Sequence, residues 1–186
     1  RRMKQSRNIF IVAGHRGGNT GAVVDDKSEA LETIRVREWI SEGLKAKGII
    51  AINDNDNASL NNVVAKVNKM CTDRDICVDI HFNSFSNQSA QGTEVLIPTS
   101  YSNLELELAE DTLNVICKTL GTKNRGVKRE GSSQYKRLAM LSGIKCNSIL
   151  IEICFLSNIS DMFKYEKNLE EMIRGLVDLF YKYVTQ

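Results

Sequence analysis

Several things are scarce in this chain of 186 residues, and each scarcity excludes something. There is one proline, Pro98, so no proline-rich hinge divides the chain. No apolar run approaches the ~20 residues that a membrane-spanning helix needs, so no span is expected. The basic opening "RRMKQSRN" is followed only by "IFIVAG", too short for the apolar core of a secretory signal, and no signal peptide is expected in this chain. Five cysteines, an odd number with no C-x-x-C spacing, predict reduced thiols and no disulfide framework. Charge of either sign is not in excess: 25 Lys+Arg against 23 Asp+Glu leaves +2, with no basic stripe to argue for nucleic acid. Histidine is rarest among the metal-capable residues, with two in the whole chain.

What remains is the composition of an ordinary soluble domain, 42% hydrophobic and 26% charged, at a length that suits one core. Without repeats or a low-complexity linker, the expected division is a basic extension over 1–8 and a single domain over 9–186, acting as a monomer. Short apolar runs alternate with helical patterns. "IFIVAG" (9–14), "IIAI" (49–52), "ICVDIHF" (76–82), "TEVLIP" (93–98), "RLAML" (137–141) and "SILIE" (148–152) read as strands. Residues 29–47 read as a helix capped by Ser28 and followed by Gly48. Leu60, Val64, Val67 and Cys71 carry helical spacing. So do Leu106, Ala109, Leu113, Ile116 and Leu120, ended by Gly121, and Leu169, Met172, Ile173, Leu176 and Phe180. Six strands among four helices predict an α/β fold, a three-layer αβα sandwich around a mostly parallel, mixed sheet. The short connection between the third and fourth strands suits an antiparallel pair.

Both histidines stand where a predicted strand ends, His15 after "IFIVAG" and His81 after "CVDI". Glu152 stands in the same place after "ILI", inside an apolar run where an unpaired carboxylate is costly. Open α/β sheets bind ligands outside the carboxyl ends of their strands, so the three side chains can converge there. Two histidines and a carboxylate are a common ligand set for catalytic zinc, with the fourth position left to water. A second carboxylate competes for that role. At 100° per residue Glu29 shares a helix face with Val36, Ile40 and Leu44, while Glu38 and Glu42 point away. A carboxylate is also favoured at a helix start by the dipole alone. The glycine-rich "GHRGGNTGA" (14–22) lacks both G-x-x-x-x-G-K-[ST] and G-x-G-x-x-G, so a flexible loop presenting His15 accounts for it better than phosphate binding. Asn83 and Ser84 can hydrogen-bond an amide substrate, although turn residues are equally expected there. Cys77 shares a strand face with His81 and reads as a small buried hydrophobe.

Together these segments resemble the zinc-dependent N-acetylmuramoyl-L-alanine amidases of the Amidase_3 type. The matches are "IVAGHRGGNTGA", the helix-starting Glu of "SEALETIRV", "VDIHFNS", "GTEVLIP", "NRGVK" (124–128) and "ILIEICFLSNISD", in the family order from about residue 9 to 184. The resemblance implies that His15, Glu29 and His81 bind one Zn2+ and that Glu152 is the catalytic acid/base. It implies peptidoglycan as partner, the bond cut being the amide between the lactyl group of N-acetylmuramic acid and L-alanine. Arg16, Ser84 and Cys154 stand where the family often has Gly, Ala and Gly, and none of these departures removes a ligand or the acid/base. The setting would be the bacterial cell wall, reached as a phage endolysin or as the catalytic domain of an autolysin. Competing readings are a zinc carboxypeptidase or another amide hydrolase using the same ligands, and a non-catalytic wall-binding module.

Overall fold

Burial along the chain explains the elements of the computed structural model, which describes residues 6–15, 18–132 and 136–186. In chain order they are β1 (Ile9–Ala13), a ribbon of β2 (Val23–Val24) and β3 (Lys27–Ser28), α1 (Glu29–Ala46), β4 (Ile52–Asn53), α2 (Leu60–Met70), β5 (Ile76–Asn83), β6 (Thr93–Ile97), α3 (Asn103–Leu120), β7 (Asn124–Arg129), β8 (Asn147–Phe155) and α4 (Ile159–Thr185). Every residue of β1 is buried, as an internal parallel strand covered on both faces requires. The main sheet has the order β4-β1-β5-β8-β6-β7. β4, β1, β5 and β8 run parallel, β6 runs antiparallel to β8, and β7 runs parallel to β6.

The alternation of side chains divides the core in two. Ile9, Ile11, Val78, Ile80, Ile149 and Ile151 pack beneath α1, α3 and α4. On the other face Phe10, Val12 and Cys77 meet Val63 and Val67 of α2, together with Met140 and Ile144, and Leu96 and Leu150 meet Leu141. The result is the expected three-layer α/β sandwich with a mixed six-stranded sheet. Ser28 caps α1 and Gly121 ends α3 in the left-handed conformation, both as read from the sequence.

Two strand assignments need correction. "RLAML" (137–141) forms turns and no ladder; its Leu138, Met140 and Leu141 are apolar because they roof the sheet face. The sixth strand is β7, whose "NRGVKR" holds a single large apolar residue, Val127, because an edge strand has little to bury. "IIAI" contributes only Ile52 to the ladder, and Ile50 faces solvent. The third and fourth expected strands, β5 and β6, do run in opposite directions, but β8 lies between them.

Candidate metal centre

The site begins where β1 ends. Gly14 keeps the chain on the sheet by donating its N–H to Ile80 O at 2.7 Å, and its own carbonyl accepts the Thr33 hydroxyl from α1 at 2.8 Å. Just before it, the Ala13 N–H donates to Asp54 Oδ1, which the buried Arg37 holds at 2.8 Å. With its base clamped in this way, the chain turns at His15, which adopts φ 57°, a left-handed conformation uncommon outside glycine. Gly14 has no substitute here, since a Cβ on it would lie 2.5 Å from the His81 ring.

Glu29, the first residue of α1, points inward as its helix phase predicts and is 4% exposed. Its Oε2 lies 3.1 Å from His15 Nε2 and its Oε1 lies 3.1 Å from His81 Nδ1. The backbone N–H groups of Ala22 and Phe82 donate to the same two oxygens. Burial alone would raise the Glu29 pKa; the bonds to His15 and His81 outweigh it and lower it to about 2. Donor atoms of His15, Glu29 and His81 all lie within 4.8 Å of one another. Two imidazole nitrogens and a carboxylate oxygen at that spacing suit a divalent cation and leave a position free for another ligand. The other nitrogen of His81, Nε2, lies 3.1 Å from Asp79 Oδ2. A proton on Nε2 shared with that carboxylate frees Nδ1 to face Glu29 and the centre.

Glu152 is the register partner of His81 on β5 and of Glu94 on β6. Cross-strand partners share a face, so His81, Glu152 and Glu94 form a row across the sheet. β8 does not end at Glu152. It bulges beyond it and runs on to Phe155, which explains why the apolar run resumes after the carboxylate. Glu152 Oε2 is shut off from solvent and takes no hydrogen bond among the described residues. Burial pushes its pKa up to about 8, against the opposing pull of His81 and with added repulsion from Glu29 and Glu94.

The sequence profile of the family described as N-acetylmuramoyl-L-alanine amidase matches residues 9–174. The chain belongs to this amidase family. It is 27% identical over 161 residues to the N-acetylmuramoyl-L-alanine amidase LytC of Bacillus subtilis strain 168, a match that covers 86% of this chain and 31% of LytC. The chain thus spans under a third of that relative's length. An N-acetylmuramoyl-L-alanine amidase from Clostridium difficile 630 has the same fold, with a TM-score of 0.82 at 22% identity over 97% of both chains. The catalytic domain of the CD27L endolysin gives 0.71 at 25% identity over 96% of both.

In this amidase domain His15, Asp79 and His81 line a cleft of about 440 Å³ together with Leu60, Met140 and Leu150. Leu60, one of the residues with helical spacing in α2, is exposed at the cleft, and Val63 is buried instead. Asn83 directs its Nδ2 to Glu94 Oε1 at 3.2 Å, and its Oδ1 accepts the Ser84 N–H at 3.0 Å. Ser84 itself is exposed. Arg16, noted as a departure from the family pattern, lies outside the described residues. Sequence reasoning passed over Asp79 and Glu94. Asp79 could have been found from "VDIH", because positions 79 and 81 of a strand share a face. Glu94 carries no such local signal, since only the pairing of β6 with β8 brings it beside Glu152.

Proposed function

We propose that this amidase domain, residues 9–186, hydrolyses the amide between the lactyl group of N-acetylmuramic acid and L-alanine in peptidoglycan. His15, Glu29 and His81 hold one zinc ion, and Glu152 serves as acid and base. The observation that carries this reading is the convergence of three metal donors within 4.8 Å beside Glu152, whose buried Oε2 takes no hydrogen bond among the described residues. Zinc held there supplies Lewis acidity, polarising the scissile carbonyl and acidifying water. Glu29 stays ionised at any working pH because its bonds to the two histidines favour the carboxylate. Asp79 fixes the His81 ring and its tautomer. Glu152 takes a proton from the attacking water and delivers it to the leaving nitrogen of L-alanine. Its burial and the neighbouring carboxylates suit a group that must hold a proton near neutral pH. Membership of the amidase family supports action on the bacterial cell wall, and no helix among the described residues is long and apolar enough to cross a membrane.

The test combines metal content with product analysis on purified peptidoglycan. Glu152→Gln is expected to keep its zinc and lose at least ~100-fold in turnover. His81→Ala is expected to lose the zinc as well. Mass spectrometry should find new L-alanine amino termini; trimmed stem peptides without them would replace the amidase reading with a carboxypeptidase. Loss of zinc from Glu152→Gln would make Glu152 a ligand.

A further inference from the structure

The polar row across the sheet continues past Glu152 to a group of residues that hydrolysis does not use. Two cations from β7 converge on Glu94: Arg125 Nε donates to Glu94 Oε2 at 2.8 Å, and Lys128 Nζ donates to the same oxygen at 2.5 Å. Two positive charges on one negative charge leave an excess of one positive charge. Arg125 is held in place on three sides. Its guanidinium lies 5.0 Å above the Phe155 ring, its Nη1 donates to Gln91 O at 3.3 Å, and its Nε is taken by Glu94. Its Nη2 has no partner among the described residues. The two side chains are 29% and 36% exposed, open enough to reach a ligand. A fixed guanidinium edge beside an ammonium is suited to a carboxylate.

We propose that Arg125 and Lys128 bind a carboxylate of the leaving stem peptide, and that Glu94 braces the two cations in position. The inference rests on the amidase reading and adds the direction of the peptide, from Glu152 over β6 towards β7. The dimensions agree. Neighbouring strands are ~4.8 Å apart, so β7 lies ~10 Å from β8. An extended peptide advances ~3.4 Å per residue, so a carboxylate two or three residues beyond the cut amide reaches the pair. Stem peptides can carry one at the second residue, a glutamate, or at the third, a diamino acid.

The test uses soluble muramyl peptides that differ only in whether the second or the third residue bears a carboxylate or a carboxamide. The wild-type protein should cleave one free-carboxylate form with kcat/KM about tenfold above its amide, the difference lying in KM. Arg125→Gln and Lys128→Gln should bring the two forms level, and Lys128→Arg should retain the preference. The position of the preferred carboxylate identifies which residue is read. Equal cleavage of all forms by the wild type, or a preference that survives both glutamine variants, would overturn the inference while leaving the amidase reading intact. Cleavage of none would overturn both. Thermal melts of each variant separate loss of recognition from loss of fold, and the wild-type comparison decides if a glutamine variant does not fold.

Discussion

At the scale of single residues, the site depends on groups that orient others. Asp79 Oδ2 lies 3.1 Å from His81 Nε2, where it favours a proton on that nitrogen and leaves Nδ1 to the centre. Asp79→Asn is therefore expected to weaken zinc binding by roughly 10- to 100-fold while leaving the fold intact. Competition with a chelating dye, checked by circular dichroism, measures this, and an unchanged affinity would assign Asp79 to folding alone. The three metal-capable residues that converge, His15, Glu29 and His81, were legible in the sequence for physical reasons. Two histidines in the chain leave few arrangements, and helix phase separated Glu29 from Glu38 and Glu42. Asp79 was hidden because an aspartate between Val78 and Ile80 looks like a solvent-facing strand position, whereas it is 2% exposed.

At the scale of elements, the segment between β1 and α1 is the most demanding. Gly18 and Gly21 both have positive φ, 86° and 64°, so an alanine at either is strained by about 1–2 kcal/mol. Only Gly21 also faces the centre: a Cβ there would lie 2.6 Å from Glu29 Oε2 and 2.7 Å from the His15 ring, whereas nothing lies within 4 Å of one at Gly18. Gly18→Ala should lose stability and keep zinc affinity, and Gly21→Ala should lose both, as urea titration beside metal titration will show. Comparable zinc affinities in the two variants would mean that the loop does not shape the centre. Elements with a strong apolar period, such as α1 and β5, were readable from sequence. β7 was not, because its residues answer to an exposed edge. The 137–141 run was misread, because a buried covering segment and a strand make the same demand for apolar side chains.

At the scale of the whole molecule, the pole away from the cleft is held by Asp75, just before β5. Its carboxylate accepts the N–H groups of Asn8 and Thr72, each at 2.7 Å, and its carbonyl accepts the Asn147 N–H at 3.1 Å. One residue thus links the starts of β1, β5 and β8. Burial raises the Asp75 pKa, but the bonds from Thr72 and Asn8 outweigh it, and the net shift is downward from 3.8. A carboxylate with a depressed folded pKa contributes stability above its unfolded pKa and loses it as the pH falls through the folded one. The melting temperature of the wild type should therefore exceed that of Asp75→Asn at neutral pH, and the gap should close below about pH 4. A gap that stays constant down to pH 2 would remove Asp75 from the acid response.

The position of β8 has a consequence for how the activity comes into being. It is the last strand made, yet it sits in the middle of the sheet, between β5 and β6. A chain still being synthesised can carry His15, Glu29 and His81 long before it carries Glu152. Until β8 inserts, β5 and β6 have no bridge and the cleft lacks Leu150. Glu152, the proposed acid/base, thus arrives together with the strand that closes the sheet. On the proposed mechanism, a chain that ends before β8 lacks its acid/base, and hydrolysis begins only once β8 has taken its place between β5 and β6.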